Sequence, residues 1–135
     1  MSSPTVSRSK VLVDTHTFLW MATEPEKLPR RAREVCETCE LVFSVASVWE
    51  IGIKWQIGRL PLPTAPRDFI ARQIKLGGVS LLPIQYRHAL AAAVLPMVHK
   101  DPFDRMLAAQ CLEEGLKCVT RDSAIGEYGV DVIWE

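Results

Sequence analysis

The sequence predicts an α/β fold of three layers, with a mostly parallel central sheet flanked by helices. Three observations predict it. The apolar runs Val11–Val13 and Leu41–Phe43 have no polar interruption and read as strands buried on both faces. Segments of helical character follow each run, so strands and helices alternate. Asp14 and Asp122 directly follow strand-like runs, and in open parallel sheets ligands bind outside the carboxyl ends of the strands.

The elements follow in order. Val11–Val13 is a strand ending in Asp14-Thr15, and a short helix passes through Phe18, Leu19 and Trp20. Pro29 opens a second helix through Ala32 and Val35. Leu41–Phe43 is the next strand, closed by Ser44, an N-cap for a helix reaching to about Gly58. Leu60–Pro63 is a loop, and Pro66 opens a helix that stops at Gly77-Gly78. Val79–Leu82 is a short strand, and Tyr86–Leu95 an alanine-rich helix. Asp101-Pro102 pairs an N-cap with proline at the first helical position, and that helix ends at Gly115. Lys117–Thr120 and Val130–Trp134 supply the last strands. Residues 10–135 therefore read as one domain behind a short flexible tail, residues 1–9.

Composition narrows the function. At 135 residues the chain is long enough to bury a real core without disulfides or a structural metal. Sixteen basic and sixteen acidic residues cancel, so no global basic field draws the protein onto nucleic acid, and any such contact must be local. The longest apolar run, Ala89–Val98, is ten residues and contains Pro96, against about 20 for a membrane helix. The polar opening lacks the apolar segment of a secretory signal, so a cytoplasmic location is expected. Cys36 and Cys39 have a zinc-like spacing, but Cys111 and Cys118 lie too far apart to complete a finger, so the thiols read as small apolar groups. There is no G-x-S-x-G, P-loop or dinucleotide motif.

The chemistry rests on four acids. Asp14 and Asp122 are carried to the sheet edge by their strands, unless they serve only as turn or cap residues. Glu50 lies on the edge of the buried arc of a largely apolar helix, where it needs a cation, a hydrogen-bond partner or water; Lys54 at i+4 is the plain candidate. Asp104 falls between Cys111 and Ala108 on an apolar helix face, and it also stands three residues after Asp101, as in a capping box. One shared pocket would account for all four. Carboxylates crowded together repel unless a cation neutralises them, and hard oxygen donors select Mg²⁺ or Mn²⁺. Such a site suits phosphodiester hydrolysis.

Neighbouring residues have both a functional and a plain reading. Thr15 and Thr120 can orient the strand-end acids or simply favour strands. Arg105, Arg121 and His99 are candidate contacts for substrate phosphates, the arginines equally able to balance the acids beside them and His99 reading first as an ordinary polar residue. His16 reads as an ordinary polar residue. Trp49 and Trp55 lie on different sides of one helix, which calls for a second copy or a bound protein unless that helix is wholly buried.

The stretches Val11-Leu-Val-Asp-Thr-His-Thr-Phe-Leu-Trp20, Ser44-Val-Ala-Ser-Val-Trp-Glu-Ile-Gly-Ile-Lys54 and His99-Lys-Asp-Pro-Phe-Asp-Arg-Met-Leu-Ala-Ala-Gln110, with Val119-Thr-Arg-Asp122, together resemble PIN-domain proteins, specifically VapC-type toxins. The similarity runs from about Val11 to Trp134. It implies a PIN fold, a Mg²⁺- or Mn²⁺-dependent ribonuclease, a homodimer, and a cognate VapB-type antitoxin whose tail occupies the active-site groove. By motif position Asp14, Glu50, Asp104 and Asp122 form the acidic quartet. Asp14 and Asp104 would be the principal metal ligands, with Glu50 and Asp122 holding water or a second ion and Asp101 a helix cap. The extension before Lys10 is longer than the family leads one to expect. A PIN-like nuclease of RNA processing or of DNA, and a non-catalytic PIN-fold binding module, are the alternatives.

Overall fold

The structure, a computed structural model, describes residues 9–135. The expected tail lies outside the described residues except for Ser9, whose carbonyl accepts the Glu40 N–H at 2.9 Å. Five strands, β1 (Lys10–Val13), β2 (Glu40–Ser44), β3 (Ser80–Leu82), β4 (Lys117–Val119) and β5 (Val132–Ile133), form one sheet in the order β3-β2-β1-β4-β5. Every neighbouring pair is parallel. Six helices connect them: α1 (Thr15–Thr23), α2 (Arg30–Thr38), α3 (Val45–Gln56), α4 (Pro66–Gly77), α5 (Tyr86–Val94) and α6 (Pro102–Glu114).

Both faces of the sheet are covered, which is why β1 is apolar throughout its buried length. Val11 and Val13 face a core built with Phe18, Phe43, Ile51 and Phe69, whereas Leu12 faces the opposite core of Leu107, Ala108, Cys111 and Ile125. Phe18 stacks on Phe43 with ring centroids 3.9 Å apart, pinning α1 to β2. Truncating such a ring costs about 3–5 kcal/mol.

Chain order reverses beside β1. The chain moves outward through β2 and β3, then returns to lay β4 on the other side of β1. The carboxyl ends of β1 and β4 therefore flank the crevice where open α/β sheets bind ligands.

Element ends depart from the sequence reading in physically simple ways. Helix α3 stops at Gln56, before Gly58, whose φ of +74° breaks the helical path. Val79 and Val130 are buried, but ladder pairing starts only at Ser80 and Val132. Two 3-10 turns, Pro25–Lys27 and Ser123–Tyr128, were not anticipated; segments so short carry no periodic signal. Helix α6 starts at Pro102 and is capped by Gly115 at φ +67°, as expected.

Candidate active site

Asp14 is delivered by the end of β1 and is only 6% exposed. Its Oδ1 accepts the Thr17 N–H at 2.9 Å, capping α1, while Oδ2 accepts the Thr120 hydroxyl at 2.5 Å. The same Thr120 oxygen accepts the Asp122 N–H at 2.9 Å, so one threonine at the end of β4 ties the two strand-end acids together. Thr17 completes the seam by donating to the Val119 carbonyl at 2.9 Å. Capping and site placement are thus compatible for Asp14, because a carboxylate has about four acceptor directions and the cap uses one.

Glu50 is 4% exposed, on the inner side of α3. Its Oε1 accepts the Thr15 hydroxyl at 2.6 Å and its Oε2 the Lys54 ammonium at 2.7 Å. The i+4 lysine is therefore the partner, yet the glutamate is not a surface residue. Ser47, one turn earlier, lies 2.9 Å from the Thr15 oxygen, and the spacing Ser47, Glu50, Lys54 marks one face of α3.

Asp101 caps α6, its Oδ1 accepting the Phe103 N–H at 2.9 Å. The capping box with Asp104 does not form. The Asp101 N–H goes instead to His99 Nδ1 at 3.2 Å, leaving the Asp104 carboxylate free to turn into the cavity. There the His99 Nε2 lies 3.1 Å from Asp104 Oδ2 and 2.8 Å from Asp122 Oδ2. Asp122 Oδ1 caps the 3-10 turn at Ala124 N, 2.9 Å away.

Asp14, Glu50, Asp101, Asp104 and Asp122 all line one cavity of about 500 Å³, together with Thr15, His16, Trp20, Lys54 and Arg121. Five carboxylates thus face two full cations, Lys54 and Arg121. The imbalance appears in proton affinity. Burial, then the charge of Asp101, pushes the Asp104 carboxyl up to about 7; His99 opposes the rise, and Glu50 and Asp122 add to it. Burial pulls the His99 imidazole down, but its hydrogen bond to Asp122 and the charges of Asp104, Asp122 and Asp101 outweigh this and raise it.

A second cavity of about 460 Å³ shares Thr15, His16, Trp20 and Lys54 with the first and adds Arg59 and Leu60–Leu62. The two make one groove leading away from the acids, with His16 and Trp20 rings 6.1 Å apart at the junction.

Arg121 lies at the cavity and Arg105 does not. The Arg105 guanidinium donates to the carbonyls of Ala92, Leu95 and Pro96 at 2.8–2.9 Å, closing the C-terminal end of α5. Its position next to Asp104 in sequence hid this, because on a helix consecutive residues point about 100° apart. His99, weighed as a phosphate contact, instead bridges two of the acids. The four cysteines are free; burial and the neighbouring Cys39 and Glu37 push the Cys36 thiol up to about 11, so it behaves as a neutral apolar group.

A family model, PIN domain, matches residues 11–130. The chain belongs to the PIN domain family. A curated relative, Ribonuclease VapC22 of Mycobacterium tuberculosis (strain ATCC 25618 / H37Rv), is 27% identical over 120 residues, covering 87% of this chain and 91% of the relative. Among solved structures, VapBC2 from Rickettsia felis, bound to a promoter DNA fragment, superposes with a TM-score of 0.66 at 9% identity, covering 93% of this chain and 99% of the other. DNA-bound VapBC from Salmonella typhimurium gives 0.64 at 18% identity, covering 93% and 97%. At such identities the likeness is one of fold.

Proposed function

We propose that this PIN-domain chain is a divalent-metal-dependent endoribonuclease and the toxin of a toxin–antitoxin pair acting in the cytoplasm. The observation that carries the reading is the cavity at the strand switch point, where five carboxylates meet two full cations. A hard-oxygen donor set short of positive charge fits Mg²⁺ or Mn²⁺. Asp14 and Asp104 are the ligands proposed for it, with Glu50 and Asp122 in supporting places. When bound, such an ion makes water more acidic and offsets charge growing on the phosphodiester oxygens.

The chain's own groups then have definite tasks. Thr120 and Thr15 fix the rotamers of Asp14 and Glu50 through short hydrogen bonds. Lys54 pairs with the buried Glu50 at 2.7 Å and holds its Oε2 in place. Arg121 stands at the cavity to meet a phosphate, and the groove beyond offers Lys54 and Arg59 for the backbone and the His16–Trp20 rings for an unstacked base. That combination suits single-stranded RNA.

The antitoxin partner is supported by the VapBC complexes among the structural neighbours. A homodimer is supported by α5, where Tyr86, Leu90 and Val94 repeat every four residues and are 64–82% exposed, with Met97 beyond them. Trp49, 64% exposed on α3, packs edge-on against Phe103 and leaves an apolar surface near the acids for a protein partner.

A non-catalytic binding module is the other reading, and the ion pairs of Glu50 with Lys54 and of Asp122 with His99 favour it, since they satisfy acids without a metal. Incubation with labelled single-stranded RNA, and with DNA of the same sequence, under Mg²⁺, Mn²⁺ or chelator separates the readings. Metal-dependent RNA cleavage that disappears in folded Asp14→Asn and Asp104→Asn proteins is expected. Cleavage of DNA alone points to the DNA nuclease, and no cleavage under any metal to the binding module. Induction in a bacterium should arrest growth, with rescue by the adjacent small gene.

A further inference from the structure

We infer that the His99 imidazole occupies the seat a second metal ion would need, so that the site takes one divalent ion per chain rather than two. The inference rests on the metal-site reading above.

The ring is held from both sides. Its Nδ1 accepts the Asp101 N–H at 3.2 Å, so in the neutral ring the proton sits on Nε2. That tautomer presents an N–H there. That N–H lies 2.8 Å from Asp122 Oδ2 and 3.1 Å from Asp104 Oδ2, between the two carboxylates. The backbone of His99 is anchored as well. Its N–H donates to the Tyr128 hydroxyl at 2.7 Å, and Tyr128 ends the same 3-10 turn whose start is capped by Asp122. Histidine and aspartate are thus fixed to one small frame.

An ion bridging Asp104 and Asp122 must touch an oxygen of each at about 2.0–2.2 Å. The imidazole already sits against Oδ2 of both. Asp14, Glu50 and Asp122 all have both oxygens in hydrogen bonds, so engaged oxygens alone do not choose between the two sides of the cavity. The seated imidazole does, and it leaves the Asp14 side for the ion. His99 is therefore a positioning residue that supplies, as a fixed hydrogen-bond donor, the bridging task a second ion performs elsewhere. A ligand role is disfavoured, because metal binding at Nε2 would move the proton to Nδ1 and set it against the Asp101 N–H.

The test is Mn²⁺ binding to the full chain, followed by calorimetry and electron paramagnetic resonance. Wild type is expected to bind one Mn²⁺ with the spectrum of an isolated ion and no directly bound nitrogen. His99→Ala should take up a second, spin-coupled Mn²⁺, and His99→Gln, whose amide can restore the donor, should return to one. Two coupled ions in wild type, an imidazole nitrogen bound to Mn²⁺, or a folded His99→Ala protein that still binds one ion would overturn the inference while leaving the metal site standing. If His99→Ala does not fold, the wild-type stoichiometry and nitrogen coupling decide. Absence of any Mn²⁺ binding in wild type would remove the metal-site reading and this inference with it.

Discussion

The Thr120 hydroxyl donates to Asp14 Oδ2 at 2.5 Å, a contact across 106 positions of sequence that joins the ends of β4 and β1. Because Thr120 also accepts the Asp122 N–H, it sets the spacing of two acids at once. Thr120→Val keeps the shape and removes both bonds. It should lower metal affinity by about 10–100-fold and stability by about 1.5–3 kcal/mol, since one bond is to a buried carboxylate. Mn²⁺ calorimetry and urea unfolding check the two effects, and a variant with wild-type metal affinity would show that Thr120 does not orient Asp14.

Lys54 stabilises a buried charge, yet its own side chain is 41% exposed, so water screens part of the pair. Lys54→Met should therefore destabilise the metal-free protein by only about 1 kcal/mol, through the loss of compensation at Glu50. Thermal melts with and without Mn²⁺ test this. The deficit should shrink when the ion is added, and a deficit of equal size in both conditions would separate Glu50 from the metal site.

Stability should fall as pH rises through the neutral range when no metal is present. The Asp104 carboxyl, pushed up to about 7 by burial and its acidic neighbours, holds more protons folded than unfolded, where its pKa is about 3.9. Between those values each step up in pH favours the unfolded chain. His99, raised in the folded state, acts in the same direction, its contribution being lost as pH climbs through its folded pKa. Metal-free protein should melt lower at about pH 8 than at about pH 5.5, and Mn²⁺ should recover more stability at the higher pH, where it competes with fewer protons. A chelator-treated protein whose melting temperature rises over that interval would contradict this.

Arg105 should matter to the fold rather than to substrate. Arg105→Ala frees the carbonyls of Ala92, Leu95 and Pro96, with an expected loss of about 1–2 kcal/mol. RNA affinity measured in a cleavage-dead Asp14→Asn background should be unchanged. The matching Arg121→Ala variant should weaken RNA binding and flatten its salt dependence. Equal losses of affinity from both substitutions would return Arg105 to the RNA path.

The sequence carried most of the architecture because the decisive signals are local. Val11–Val13 running into Asp14, and Asp101-Pro102 opening α6, need only neighbouring residues to be read. The sheet proved parallel throughout, and all four acids line one cavity. What was hidden depends on distant contacts. His99 meets Asp122 across 23 positions, and Arg105 leaves its sequence neighbour Asp104 for another helix. The capping-box pattern misled for a related reason, because it assigns the Asp101 N–H to Asp104 when the preceding loop brings His99 Nδ1 closer. The alanine-rich helix α5 was visible, but not that Tyr86, Leu90 and Val94 stay uncovered while His88 is fully buried against Glu114.

The most direct measurement is single-turnover cleavage of a labelled single-stranded RNA by wild type, Asp14→Asn and Asp104→Asn, each shown to be folded, across a Mn²⁺ titration. The account predicts cleavage that rises with Mn²⁺, vanishes with chelator and falls by roughly a hundredfold or more in either variant. Cleavage at wild-type rate in both variants, or in the presence of chelator, would contradict it.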